Sequence, residues 1–462
     1  MPKPIHLVFL SIVTLCAYAC TEKQGRGRAF TNPVMLASRD GKLQVDLVAA
    51  SAAYSIDGHQ FQGMLYNGQY MPPLWRVRAG DIVTVTLHNQ LSQDTNLHFH
   101  GLGVSPLNNG DNVFLHIAPD QTFTYQIKIP EKHVGLFWYH PHAHGDVDRQ
   151  IIGGMSGGIV VEGSDRLYPF LKGLTERILL LKHHPIGRTD YEELVTVNGM
   201  VAPIISIRPG EAQFWEIGNI GADRFLRLKI DGTPFYLIGR DGYFVPRPIR
   251  MEEVILGPGQ RFSAIVVGGQ PGRYAFKSVA FKFDERQPPL PDVSLGTVVS
   301  HGPAADVAAA EAKVSALRVN EPLYVDAVRS SPIANRRTFA FSVNPQKTAF
   351  FINDQVFDEN RTDVTLRLGD TEEWTIINKD SQYHDFHIHQ TGFLVTEVNG
   401  APIDFDGLRD TFSVPPGRNG KPGEAKLIIP FTNPEIVGRF VFHCHVVKHE
   451  DKGMMMTVEV VP

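Results

Sequence analysis

Three stretches of the chain share one order of apolar and polar positions. Arg78-Ala79-Gly80-Asp81 runs through Val83-Thr84-Val85-Thr86 to Asn89, and Arg208-Pro209-Gly210-Glu211 runs through Phe214-Trp215-Glu216-Ile217 to Asn219. Arg367-Leu368-Gly369-Asp370 reaches Asn378 with the same spacing. An Arg-x-Gly-acid turn, a β-rich run and a closing Asn predict a turn, a strand and a second turn. Downstream of each lies a second repeat: Gly135-Leu136-Phe137-Trp138-Tyr139, Gly272-Arg273-Tyr274-Ala275-Phe276 and Gly438-Arg439-Phe440-Val441-Phe442. There aromatics alternate after a glycine, the period of a half-buried strand. A repeat present three times predicts an all-β chain of three β-sandwich domains, at about 30–163, 164–315 and 316–462. The stretch from Asp284 to Val314, with Pro288-Pro289-Leu290-Pro291 and a run of alanines, reads as the connector between the second and third.

Length and composition agree with this picture and remove alternatives. At ~150 residues per domain, 462 residues suggest about three domains. With 20% charged and 43% hydrophobic residues the chain is neither disordered, collagen-like nor a coiled coil. The net charge is −5 and no block of Lys or Arg occurs, so a nucleic-acid surface has no electrostatic support. Met1-Pro2-Lys3, an apolar run from Ile5 to Tyr18 and Ala17-Tyr18-Ala19 predict a signal peptide over residues 1–19 with an A-x-A cleavage site. That run falls short of the ~20 residues a bilayer crossing needs. The mature protein is therefore expected to be exported, to a periplasm or the medium. Cys20 follows the cleavage site directly, where a lipid-anchored first residue would stand, although Ala17 replaces the usual Leu. Lipid anchoring and soluble export both stay open.

Only Cys16, Cys20 and Cys444 are cysteines, so the exported body has no disulfide framework despite an oxidising compartment. Cys444 sits between two histidines. Of the 19 histidines, ten fall in four clusters: His98-Phe99-His100, His140-Pro141-His142, His384-x-x-His387-x-His389 and His443-Cys444-His445-x-x-x-His449. Residues two apart on a strand share a face, so each cluster can present two imidazoles to one side. Two pairs belong to the first domain and two to the third, and their eight rings converge only if those domains meet. The second domain has Lys277 where the others have His140 and His443, and a spacer role is expected for it. Cys444 and His384 have the opposite parity. With His449 and Met454 they give two imidazoles, a thiolate and a thioether, the donor set of a blue-copper electron-transfer site; zinc suits a lone thiolate with Met less well. Because both covalent neighbours of Cys444 belong to the eight-histidine group, an electron entering at its sulfur has a short bonded route there. Dioxygen, which takes four electrons to become water, is the expected acceptor.

On these four motifs, with Trp138-Tyr139 before His140, Asp410-Thr411 and Val414-Pro415-Pro416-Gly417, the chain resembles the multicopper oxidases, and the bacterial three-domain laccase-like members most closely. The resemblance implies three cupredoxin-like Greek-key sandwiches and four copper ions. It assigns His384, Cys444, His449 and Met454 to a type 1 copper and His98 and His387 to a type 2 copper. One type 3 copper falls to His100, His140 and His445, the other to His142, His389 and His443. Met454 as axial ligand implies a low to middling potential. Protons for oxygen reduction call for a nearby acid. Asp111 resembles the acid that follows the first motif in relatives, with an offset that leaves Asn109 as the alternative. Glu450 resembles a second such acid, or is an exposed loop residue. His144 reads as a supporting or surface histidine, and His59, His88, His116, His183, His184 and His301 as structural.

Relatives oxidise phenols and aryl amines, or cuprous or ferrous ions. With ten methionines and three of them in Met454-Met455-Met456, no methionine-rich insert is present, which weakens a dedicated cuprous oxidase. Asp404 and Asp406 either draw a cation toward the type 1 site or are turn acids. A copper nitrite reductase would have two domains and no need of eight paired histidines. A relative kept as an interaction or division protein would have lost ligands, whereas this set is complete. Copper buffering without turnover would use the same ligands. A monomer is expected.

Overall fold

The computed structural model describes residues 27–187, 192–403, 407–418 and 420–462. The predicted leader, Cys16 and Cys20, and Asp404 and Asp406 lie outside the described residues. Six sheets pack as three face-to-face pairs. In the first pair, a five-stranded sheet ordered Met35–Ala37, Leu74–Val77, Gly157–Val161, Gly135–His140, His98–His100 covers a four-stranded sheet ordered His59–Tyr66, Lys42–Ile56, Ile82–Gln90, Thr122–Lys128. The second and third pairs each set a six-stranded sheet against a five-stranded one. These are cupredoxin-like sandwiches, and the chain is mostly strand.

The threefold repeat has a physical cause visible at its conserved spacing of turn and asparagine. Gly80, Gly210 and Gly369 take φ of +84°, +71° and +98°, the left-handed turn that a side chain would strain. At the other end of each strand a buried Asn ties down the loop that follows. Asn89 Nδ2 donates to the carbonyls of Gln93 and Ile117, Asn219 Nδ2 to those of Arg224 and Leu256, and Asn378 Nδ2 to those of Gln382 and Val414. Each Asn Oδ1 in turn accepts the backbone N–H two residues on, at Leu91, Gly221 and Asp380. A buried amide with every group bonded fixes a loop rather than loosening it. In the third pair this loop leads straight into His384–Ile388.

Alternate residues of each strand fill the space between paired sheets. Trp374 packs among Phe339, Phe386, Phe431 and Phe442 in the third sandwich, and Trp75 stacks on Tyr139 at 4.0 Å in the first. A separate apolar cluster joins the sandwiches: Leu136, Trp138 and Val147 from the first, Ile178, Leu180 and Ile220 from the second, and Val447 from the third. Polar contacts fix the docking. The Asp451 carboxylate accepts the N–H groups of Gly145, Val147 and Asp148 at the start of the helix Val147–Gly153, where a negative charge is favoured.

One expectation is corrected. Residues 284–314 are not all connector, because Val293–Ser300 is a strand lying between Ile204–Ile207 and Gly272–Ser278. A register shift opposite Phe276 and Lys277 breaks its alternation, so the period of a strand is hidden in the sequence. The alanine run forms the helix Val307–Ser315, capped by Asp306, whose side chain accepts the Ala309 N–H at 3.0 Å. Among the described residues no helix is long and apolar enough to cross a membrane.

Candidate metal centre

Strand pairing places the histidines opposite one another. His98 faces His140 across the first sandwich's paired strands, and His387 faces His443 across the third's. His142, His389 and His445 lie just beyond the ends of these strands, and all eight rings are at most 1% exposed. The two sandwiches meet ring to ring: His98 stacks on His389 at 3.8 Å between centroids, and His100 on His387 at 3.9 Å.

The ring nitrogens divide into two kinds. His98, His140 and His387 each direct Nδ1 at an oxygen, of Asp111, Pro141 and Asp410 respectively, and leave a buried Nε2 without a hydrogen-bonding partner. His142 and His389 bring Nε2 to 3.3 and 3.2 Å from Nε2 of His443, and His445 Nε2 lies 3.2 Å from His100 Nδ1. Burial holds His100, His140, His387, His389 and His445 well below the usual imidazole range, so these rings are neutral. Neutral imidazoles with unpartnered nitrogens facing one another in a dry site fit metal ions and little else.

Cys444 points the other way, into the core of the third sandwich, with Met454 in the same apolar cluster. Its Sγ is 3.4 Å from His384 Nδ1 and 3.5 Å from His449 Nδ1. Burial pushes this thiol well above its ordinary pKa, so a nearby cation is needed to hold it as thiolate. A set of two imidazoles, one sulfur and a buried thioether suits copper.

The acids take distinct places. Asp111 is buried and accepts from His98 Nδ1, from the Phe99 N–H at 3.0 Å and from Gln390 Nε2 at 2.7 Å, whereas Asn109 is exposed. Glu450 is fully buried rather than exposed, with Oε2 3.0 Å from His443 Nδ1 and Oε1 3.5 Å from His142 Nε2; burial raises its pKa. His144 is exposed.

Two contributors escaped the sequence. Arg261 grips Asp410 with two bonds of 2.8 Å and donates to the Leu136 and Gly259 carbonyls, joining all three sandwiches. Asp410 Oδ1 in turn lies 3.2 Å from His100 Nε2. Gly259, at φ +81°, brings the second sandwich's backbone so near that a methyl group there would sit 3.0 Å from His445 and 3.1 Å from His100. The second sandwich thus holds the histidines in place as well as spacing the other two. An arginine opening the wholly buried run Arg261–Val267 was the available signal.

Multicopper oxidase family profiles match residues 48–166, 178–299 and 330–462. The chain belongs to the multicopper oxidase family. Copper binding follows from that membership. Among relatives, a multicopper oxidase (mco) of Staphylococcus haemolyticus is 27% identical over 416 residues, 86% of this chain and 83% of the relative. The cell division protein FtsP of Xenorhabdus nematophila is 24% identical over 447 residues, 91% of this chain and 90% of its own. In fold, this multicopper oxidase is similar to one from Campylobacter jejuni described as a metallo-oxidase, with TM-score 0.81, 24% identity and coverage of 95% and 96% of the two chains.

Proposed function

We propose that the protein is an exported, monomeric, laccase-like multicopper oxidase that takes single electrons from a phenol, aryl amine, or cuprous or ferrous ion and passes them to dioxygen. In this reading His384, Cys444, His449 and Met454 hold a type 1 copper, and His98 with His387 a type 2. His100, His140 and His445 hold one type 3 copper, and His142, His389 and His443 the other. The sandwiches divide at about 30–163, 164–315 and 316–462. Bound there, copper supplies one-electron oxidation at the first site and four-electron reduction of dioxygen to water at the other three ions. One observation carries the proposal: Cys444 faces the third core with His384 and His449, while its bonded neighbours His443 and His445 face the other six histidines.

The side chains around these sites have separable tasks. The Cys444 backbone links its sulfur to two rings of the histidine cluster through a few covalent bonds. Glu450, buried and raised in pKa, can hold a proton beside His142 and His443. Asp111 fixes the tautomer of His98 by accepting from Nδ1, which leaves Nε2 free for metal.

The direct test is oxygen uptake by the copper-loaded protein with a methoxyphenol, cuprous or ferrous ions as donor. Uptake with any of them is expected. A blue, copper-loaded protein inert toward all three would instead indicate a copper-holding exported protein without turnover. Asp111→Asn is expected to slow reoxidation by dioxygen about 10- to 100-fold while reduction by donor stays near wild type, since an amide presents no second acceptor oxygen and no exchangeable acid. Stopped-flow traces of the blue band separate the two steps, and normal reoxidation would remove Asp111 from the path.

A further inference from the structure

A cavity of about 420 Å³ opens beside His449, whose ring forms part of the wall. Phe350 lies flat against that ring, with centroids 4.2 Å apart and planes 15° from parallel, and Phe283 and Leu290 add apolar surface. Apolar walls around a few polar groups are the usual build of a small-molecule site, and this one suits a single substituted aromatic ring. The His449 ring reaches Cys444 through Nδ1, so a molecule in this cavity lies one imidazole away from the sulfur.

The cavity's charges are unbalanced. Four cations line it, Arg224, Lys347, Lys448 and Lys452, against three acids. Each acid is held by a cation: Glu193 by Arg224 at 2.5 Å, Asp223 by Lys448 at 2.9 Å and Asp284 by Lys347 at 3.1 Å. Lys452 is the remaining charge. Its Nζ lies 3.4 Å from the Lys347 carbonyl oxygen and 5.7 Å from the Phe350 ring centre, and among the described residues no carboxylate lies within 4.0 Å of it. The Phe350 ring therefore carries the His449 ring stacked on it and the Lys452 ammonium group 5.7 Å from its centre, so the same apolar surface adjoins both groups. Metal donors are poorly served. Among the described residues no Met or Cys lines the cavity to attract a cuprous ion, and each of its three carboxylates is already paired.

We propose that this cavity is the electron-donor pocket and that Lys452 selects phenols bearing a carboxylate on the ring. The proposal rests on the oxidase reading above, in which His449 and Cys444 would help hold the copper that takes the electron. The donor's O–H bond breaks, its proton passes to water in the open cavity and one electron leaves toward Cys444, giving a phenoxyl radical with its carboxylate intact. Four such donors supply the four electrons for one dioxygen. Four protons are taken up in the same cycle, and two waters form.

The test compares syringate with its methyl ester, which differ by one charge, on the full copper-loaded protein. The acid-to-ester ratio of kcat/KM is expected to fall about five- to tenfold in Lys452→Gln, through KM, and further in Lys452→Glu. Salt is expected to flatten the wild-type preference. A second readout needs no turnover: trimethoxybenzoate, which has no phenolic O–H to oxidise, should bind the wild type and bind Lys452→Gln at least about fivefold more weakly by isothermal titration. An unchanged ratio in both variants, or a ferrous preference with no trimethoxybenzoate binding, overturns the proposal. A protein without blue colour or oxygen uptake, yet binding trimethoxybenzoate through Lys452, would sink the oxidase reading and leave the anion selectivity standing.

Discussion

Cys444→Ser is expected to abolish the blue colour of the copper-loaded protein and to reduce oxygen uptake to background while the fold survives. The intense colour of such a centre requires sulfur bound as thiolate, and a serine hydroxyl neither loses its proton readily nor donates as a soft ligand. Geometry makes the loss specific. The substitution leaves His384 and His449 where they are, in an apolar wall that includes Met454, and removes only the atom both rings approach. Burying a hydroxyl there costs roughly 1–3 kcal/mol, which a core of this size tolerates. The visible spectrum after copper loading checks the first claim, and circular dichroism with a thermal scan checks the last. A retained blue band would show that Cys444 is not the sulfur ligand.

Arg261→Met should be the most damaging single change remote from the ligands. The guanidinium is 1% exposed and bridges Asp410 to the carbonyls of Leu136 and Gly259. Removing it strands the Asp410 carboxylate, with Asp241 close by, in a dry interior. Truncating one partner of a buried pair typically costs 3–5 kcal/mol, because an uncompensated charge remains. Urea unfolding of the metal-free protein should show a loss of about that size, and Arg261→Met/Asp410→Asn should recover part of it. A loss under about 1 kcal/mol would mean the pair is screened and does not fasten the sandwiches.

Much of this was legible in the chain because it is local. Strand parity separates Cys444 from His443 and His445 without any tertiary knowledge, and the Arg-x-Gly-acid turn with its closing Asn marks each sandwich. What was hidden is what depends on distant partners. Whether Asp111 or Asn109 meets the histidines depends on how the loop after His100 folds back: the Asp111 N–H bonds to the Ser105 carbonyl at 2.7 Å and turns its carboxylate inward. Glu450 looked equally suited to solvent, because its burial is imposed by rings from the first sandwich. Arg261 offers only the faint signal of an arginine opening an apolar run, and Gln390 none, since their partners are 149 and 279 residues away. The strand Val293–Ser300 was lost for a different reason, a register shift that erased its alternation.

The split of the eight histidines between the first and third sandwiches has a consequence for biogenesis. A chain emerging from the ribosome displays His98, His100, His140 and His142 well before the other four exist, and domains fold as they emerge. Until the third sandwich docks, His98 and His100 lack the stacked rings of His389 and His387, and only the group formed by His98, His100 and His140 can be complete. The groups that mix ligands from the two sandwiches form only on docking, and the free energy of metal binding there favours the docked arrangement over an open one. Tight copper retention is thus a marker of completed synthesis, and a truncated or misdocked chain would release its metal to whatever competes for it.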